Sequence, residues 1–316
     1  MVPPAALPPT APVNLPGALY FDLGPDEATE RGEAEAHAPG SRGVARPPWR
    51  IFVAAPAEPP PPAGWPVLVL LDANAGFATF AETARRAAVR PAATGIGPTL
   101  IVGIGYPIEA PHDRDRRRFD FTAGPAREPQ GATAAQPADA GTAAAPETGG
   151  SAAFLRFIRC RLLPVLASRW PLDPARRTLF GHSLGGAFVL DVFARAPALF
   201  SSHVAVSPSI WWDEPALLAG LAARERGAPA RLALMVGEYE EGLAPWQAGE
   251  PAAAAIAARR ARRGMVAATR RYAEAARATL GPEARLACAV LAGEDHASVL
   301  PAAMSRALRF AAGGPL

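Results

Sequence analysis

The 316-residue sequence contains no lysine, so all 32 of its basic residues are arginine. That excludes chemistry built on a lysine amine: Schiff bases, the P-loop lysine and the kinase lysine. It has only two cysteines, Cys160 and Cys288, and no C-x-x-C spacing, so neither a zinc site nor a disulfide framework is suggested. Free buried thiols are the expectation. Acidic excess is absent too: 29 Asp and Glu against 32 Arg leave a net charge of +3, which does not describe a nucleic-acid-binding protein. The basic run Arg259, Arg260, Arg262 and Arg263 lies in an Ala-rich stretch and reads as a solvated helix face. The N-terminus, MVPPAALPPTAPVNLPG, has no charged leader and no uninterrupted apolar run, and no later run is long enough to span a bilayer. The expectation is a protein without a membrane or nucleic-acid partner, located in the cytoplasm unless a differently placed start codon adds an export signal.

What the chain does have in quantity is Gly (29) and Pro (36), about a fifth of its length, which predicts long irregular stretches. The Pro-rich residues 1–17 and a segment at 124–150 made of Ala, Pro, Gly, Thr and Gln are expected to be disordered, because neither can bury enough apolar surface to offset its ordering entropy. The remaining 18–316 fits one α/β domain. ALYFDL (18–23) and WRIFVAAP (49–56) read as edge strands. VLVLLD (67–72) and TLIVGIGY (99–106) are continuous apolar runs of the kind buried on both faces of a sheet, and 77–90 between them has helical spacing. TLFGHS (178–183), HVAVSPS (203–209), RLALMVGE (231–238) and RLACAVLAGEDH (285–296) add four strands, each with a helical stretch before it, and a last helix runs from about 300 to 310. Eight strands with interleaved helices make a doubly wound, mostly parallel sheet.

The most specific local signal is Gly181-His182-Ser183-Leu184-Gly185, a G-x-S-x-G sequence between a buried strand and an amphipathic helix. A serine at such a strained turn projects its hydroxyl above the sheet, and flanking glycines let the backbone cross tightly. The hydroxyl needs a base to accept its proton. Of five histidines, His37 and His112 lie in early loops, His182 points away by strand alternation, and His203 starts a strand as a structural residue. His296 follows the last strand at the carboxyl edge and is the candidate base. The acid should lie between the two. Glu238, Glu240 and Glu241 follow the strand 231–238, ranked Glu240, Glu238, Glu241 by distance past the strand end, with Asp213 and Glu214 weaker candidates. Oxyanion donors would be the backbone N–H of Leu184 and that of Ala73 or Asn74 in the loop Asp72–Gly76.

Several of these stretches, LLDANAGF, DRRRFDFTAGP, FGHSLGG, SPSIWW, VGEYEE and GEDHASVLP, resemble the esterase family of α/β-hydrolases, especially its bacterial siderophore esterases, over about residues 18–310. The resemblance implies an α/β-hydrolase fold and a serine esterase cleaving a siderophore-like ester or lactone, with a ferric siderophore among its candidate substrates, and with Ser183 as nucleophile and His296 as base. It also implies that a Ser–His dyad can suffice, and it admits S-formylglutathione hydrolases, feruloyl esterases and mycolyltransferases as relatives. The family's R-x-x-D-x-T-P motif falls on Arg117, Asp120 and Thr122, with Ala123 in place of its proline. Arg117, in a loop after the strand 99–106 with Arg114, Arg116 and Arg118, is the candidate contact for an anionic or catecholate oxygen. Trp211 and Trp212 either floor an aromatic pocket or pack in the core. No metal or cofactor is required by this chemistry. The rival readings are acyl transfer to an added acceptor and a catalytically idle binding protein, the second separable by a fluorophosphonate probe, which labels only an activated serine.

Overall fold

The computed structural model describes residues 14–25, 46–127, 147–228 and 230–316. Eight strands form one sheet: β1 (Ala18–Leu23), β2 (Trp49–Ala54), β3 (Trp65–Leu71), β4 (Leu100–Gly105), β5 (Leu172–His182), β6 (Ser202–Val206), β7 (Arg231–Gly237) and β8 (Arg285–Leu291), in the order β1-β2-β4-β3-β5-β6-β7-β8. Only β2 is antiparallel to its neighbours β1 and β4; the pairs from β4 to β8 are parallel. This is the doubly wound, mostly parallel single domain of the α/β-hydrolase fold. One expectation changes: β2 is not an edge strand, since β1 shields it.

The alternation of side chains along the buried strands sorts the core into two layers. Val67, Val69 and Leu71 of β3 face the cluster that packs under α2 (Arg114–Phe121), α3 (Ser151–Phe157), α4 (Leu163–Arg169), α5 (Leu184–Arg195), α6 (Glu214–Ala222) and α8 (Met265–Thr279), while Leu68 and Leu70 face α1 (Ala73–Ala88) and α9 (Val299–Ala311). Both faces of the parallel strands are therefore apolar, which is why their sequences run without polar alternation. A π-helical turn, Ile158–Leu162, joins α3 to α4, and α7 (Ala253–Arg263) is divided from α8 by Gly264 at φ 51°.

Three further expectations change. Residues 114–121, expected as a loop, form a helix capped by Asp113, whose side chain accepts the Arg116 N–H at 3.0 Å. Its almost wholly charged sequence gives no apolar stripe to read. Cys160 is exposed rather than buried, and Cys288 is half-buried. The two ends of the segment 124–150 are hydrogen-bonded into the domain: Arg127 N–H to Trp212 at 2.8 Å, Gly149 N–H to Thr122 at 3.1 Å and Gly150 N–H to Phe119 at 2.9 Å. Residues 128–146, and residues 1–13 of the stretch 1–17 expected to be disordered, lie outside the described residues, while the end of that stretch is tied to the sheet, the Gly17 carbonyl accepting the Ala55 N–H at 3.1 Å. Among the described residues no helix is long and apolar enough to cross a membrane.

His203 on β6 is fully buried, set edge-on to Phe193 at 5.2 Å and Phe200 at 6.0 Å. Burial, with Arg224 nearby, pushes its imidazole down to about 3. The unfolded chain takes up a proton below pH 6.5 that the folded chain refuses, so stability is lost as pH falls from 6.5 toward 3, by about 1.4 kcal/mol per pH unit. His203→Phe should therefore lose about 2 kcal/mol less than wild type between pH 7 and pH 5 in urea unfolding. Identical pH slopes for the two proteins would show that His203 does not titrate this way.

Candidate active site

Among the described residues, three non-glycine residues have positive φ, and each follows the carboxyl end of a strand: Asp72 (φ 54°) after β3, Ser183 (φ 59°, ψ −120°) after β5 and Ser207 (φ 45°) after β6. Strain of this kind persists only where the surroundings enforce it, and it concentrates at functional sites. At the elbow the enforcing geometry is visible, because a Cβ on Gly181 would lie 2.3 Å from the Gly185 carbonyl oxygen. Ser183 is anchored from both sides, its N–H donating to Val206 at 3.0 Å and its carbonyl accepting from Ser209 N–H at 3.0 Å.

Ser183 Oγ lies 3.1 Å from His296 Nε2, and His296 Nδ1 lies 2.6 Å from Glu240 Oε2. The three come from three separate loops at the carboxyl edge of β5, β7 and β8. Glu240, 1% exposed, is held at its other oxygen by the Gly237 N–H at 2.8 Å and by the Ser207 hydroxyl. The strained backbone of Ser207 thus aims a donor at the acid. The other two glutamates are engaged elsewhere: Glu238 accepts from Gly293 N–H at 2.8 Å and Glu241 from Ala267 N–H at 2.5 Å. Ser209 Oγ is 3.3 Å from Ser183 Oγ, a second hydroxyl at the site, within the SPSIWW stretch but with no role assigned to it from sequence.

Leu184 and Ala73 are the first residues of α5 and α1, where backbone N–H groups have no acceptor within their own helix. The two helix starts adjoin, since the position of a Gly185 Cβ is 3.5 Å from Leu71 Cβ at the end of β3. Asn74, whose backbone N–H also lies in the first turn of α1, is engaged by its side chain: the amide donates to the Tyr106 and Ile108 carbonyls at 2.9 and 3.0 Å, and its oxygen accepts the Tyr106 N–H at 2.8 Å. It fastens the β3 loop to the β4 loop.

Arg117 is not a free fork. It grips Asp72, its Nε 3.1 and 3.0 Å from the two carboxylate oxygens and its Nη2 2.7 Å from Oδ2. The expected substrate arginine thus holds the strained residue just before Ala73. Asp120 of the same motif is buried and accepts from Trp49 Nε1 at 2.7 Å and the Tyr106 hydroxyl at 3.3 Å. Burial raises its carboxyl to about 6, partly offset by Arg116 at 3.3 Å. The tryptophan pair divides: Trp212 packs against the main core and donates to the Gly124 carbonyl at 3.0 Å, while Trp211 lines an open cleft.

His182 also departs from expectation. Its ring centroid is 4.7 Å from that of His296, because the loop carrying His296 folds back over the end of β5. Burial, chiefly, and the neighbouring His296 hold it well below the ordinary imidazole range, so it stays neutral. Arg260, read from sequence as part of a solvated helix face, is instead turned inward, its side chain 13% exposed. Its Nη1 donates to the carbonyls of Tyr239 and Gly242 and to Gln247, each at 2.8 Å, and its Nη2 lies 3.3 Å from Asp295. One guanidinium thereby joins the loop bearing Glu240 to the residue preceding His296. Among the described residues no group of three His, Cys, Asp or Glu side chains could hold a metal ion.

Residues 47–275 match the family model described as "Putative esterase". The ferri-bacillibactin esterase BesA of Bacillus subtilis is 36% identical over 268 residues, covering 83% of this chain and 84% of its own. The crystal structure of the BES protein from Bacillus cereus aligns with a TM-score of 0.73 at 26% identity, over 97% of this chain and 99% of that one. The siderophore hydrolase EstA from Aspergillus nidulans aligns with a TM-score of 0.74 at 24% identity over 98% of both chains, a likeness of fold. The class so defined is a carboxylic ester hydrolase on an α/β-hydrolase fold. Within that class, the chain belongs to the "Putative esterase" family.

Proposed function

We propose that the protein is a serine esterase that opens the ester or lactone bonds of a siderophore through an acyl-enzyme. The observation that carries the mechanism is the unbroken line Ser183 Oγ, His296 Nε2, His296 Nδ1, Glu240 Oε2 at the carboxyl edge of the sheet. Ser183 Oγ attacks the ester carbonyl while His296 Nε2 takes its proton, and the backbone N–H groups of Leu184 and Ala73 receive the oxyanion. Collapse of the tetrahedral intermediate breaks the C–O bond, and His296 returns the proton to the departing alkoxide. Water then attacks the acyl-enzyme with His296 again as base, releasing the acid and restoring Ser183. Glu240 fixes the tautomer in which Nδ1 carries a proton and Nε2 accepts one.

The substrate class is supported by the Bacillus subtilis relative, named for a ferric siderophore ester and similar over most of both chains. The test is incubation with an iron-free and a ferric trilactone siderophore, with mass spectrometry of the products. Stepwise appearance of linear trimer, dimer and monomer is expected. Turnover of p-nitrophenyl butyrate with no attack on either trilactone would overturn the siderophore assignment and leave the esterase.

Arg117 and Arg260 are positioning residues in this scheme. Because Arg117 holds Asp72 beside the oxyanion donor, Arg117→Ala should lower kcat/KM by the same factor, about 10- to 100-fold, for p-nitrophenyl acetate and for a catechol-bearing ester. A loss confined to the catechol ester would restore Arg117 as a substrate contact. Arg260→Ala should loosen Glu240 and His296 together, lowering kcat by about 10- to 100-fold with little change in KM. Fluorophosphonate labelling of Ser183 should slow in parallel. Unaltered labelling would mean that Arg260 serves only the packing of α7.

A further inference from the structure

A cleft of about 720 Å³ is lined by Trp211, Glu214, Glu241, Arg262, Arg263 and Arg271 among others, none of them a triad residue. It shares two segments with the site. Trp211 lies two residues after Ser209, whose hydroxyl is 3.3 Å from Ser183 Oγ, and Glu241 directly follows the acid that meets His296. The charges on its wall are unevenly matched. Arg271 is bound to Glu214 by two contacts of 3.0 Å, and Arg127, also on the wall, faces Asp213 at 3.4 Å. Glu241 accepts the Ala267 N–H at the start of α8. No ion pair engages Arg262 or Arg263 among the described residues. The Arg263 guanidinium lies over the Trp211 ring at 4.2 Å. Burial, then the neighbouring Arg259 and Arg262, makes its charge costly and draws its pKa down. Two neighbouring guanidiniums without an ion-pair partner, one of them over an indole, are an arrangement that a bound anion relieves.

Building on the esterase reading above, we infer that this cleft receives the metal-loaded face of a catecholate substrate and that Arg262 and Arg263 make the enzyme select the loaded form over the metal-free one. The chemistry is one of charge. Three catechols that have each given up both protons to a trivalent ion form a trianion, whereas free catechol hydroxyls, phenolic groups with pKa near that of tyrosine, are protonated near pH 7. A tris-hydroxamate complex of the same ion is neutral and offers the arginines nothing. Planar guanidinium forks suit catecholate oxygens, and the indole face suits the aromatic rings between them. Of the two carboxylates on the wall Glu214 is neutralised by Arg271, so the adverse charge the anion meets is Glu241.

The test uses a tricatechol amide, which has no ester to cleave, so binding is read apart from hydrolysis. Calorimetry on the full chain compares its Ga(III) complex, the same ligand without metal, and a neutral Ga(III) tris-hydroxamate. Wild type should bind the loaded catecholate about 10- to 150-fold more tightly than either of the others. In R262Q/R263Q that ratio should fall to about threefold or less, with circular dichroism and affinity for the metal-free ligand preserved. Comparable affinities for all three ligands in wild type, or a ratio that survives in the folded double variant, would overturn the inference. If the double variant does not fold, a salt titration of wild type decides. Selectivity that collapses between about 0.02 and 0.5 M NaCl supports the arginine pair, and selectivity indifferent to salt refutes it. Arginine-dependent selectivity in a protein that opens no trilactone would defeat the siderophore esterase reading while leaving this inference standing; trilactone opening without selectivity would do the reverse.

Discussion

Ser183→Ala should lower kcat toward p-nitrophenyl butyrate by about 10⁴-fold or more while leaving the fold unchanged. Ser183 Oγ is the hydroxyl that stands 3.1 Å from His296 Nε2, and among the described residues its other hydrogen-bond neighbour is Ser209 Oγ at 3.3 Å. Its backbone does the structural work, through Val206, Ala187 and Ser209. Alanine keeps those bonds and tolerates the strained φ of 59° no worse than serine. Melting temperature should therefore move by no more than a few degrees. The neighbouring Ser209 sharpens the test. Its hydroxyl is close enough to invite the question of which serine is acylated, but its φ of −71° places it outside the elbow, and its N–H is committed to the Ser183 carbonyl. A fluorophosphonate adduct should therefore be found by peptide mass spectrometry on Ser183 alone and should vanish in Ser183→Ala. Wild-type-like turnover by that variant, or an adduct on Ser209, would sink the assignment of the nucleophile.

The parts of the site that were legible are those encoded by neighbours in sequence. The elbow is a five-residue pattern whose glycines are required by contacts within itself, such as Gly181 against Gly185, so it reads directly. His296 reads nearly as well, because it follows the last strand at the edge where such sheets bind ligands. The strands β3, β4, β6 and β7 were legible to within a few residues, whereas the half-buried edge strand β8 ends at Leu291, short of the expected 285–296, and β5 begins six residues before the apolar run at Thr178 because its polar start Leu172–Arg177 carries no apolar signal. What could not be read are roles that one residue acquires from another far along the chain. Arg117 is visible in the sequence, but that Asp72, 45 positions earlier, occupies its fork is not. Arg260 looks the same as Arg259, Arg262 and Arg263 until the fold turns it toward Tyr239 and Asp295 and turns Arg263 over Trp211. The helix 114–121 was hidden because its stability comes from a cap and buried ion pairs rather than from an apolar stripe. His182 was assigned to the wrong surroundings because strand alternation fixes a face of the sheet and says nothing of the loop that later folds over its end.

Glu240→Gln should lower kcat by about 10³- to 10⁴-fold with KM for a small ester little changed. Glutamine is close to glutamate in shape, so Oε1 can go on accepting from the Gly237 N–H and the Ser207 hydroxyl, and the loop should hold its place. The loss falls on the other oxygen, 2.6 Å from His296 Nδ1, where an amide NH2 replaces a carboxylate. An NH2 there donates, which favours the imidazole tautomer with its proton on Nε2, and that tautomer cannot take a proton from Ser183. The imidazolium formed during attack also loses its only anionic partner at Nδ1. Glu238→Gln and Glu241→Gln should each change kcat by about threefold or less, because their carboxylates accept from the Gly293 and Ala267 N–H groups and amide oxygens can do the same. Steady-state kinetics on the three variants separate the possibilities. A loss below about tenfold in Glu240→Gln would mean that Ser183 and His296 operate as a dyad, with Glu240 serving the loop. A larger loss in Glu238→Gln than in Glu240→Gln would move the acid to Glu238. The single buried carboxylate that faces the imidazole, braced by a serine held at φ 45°, argues for neither.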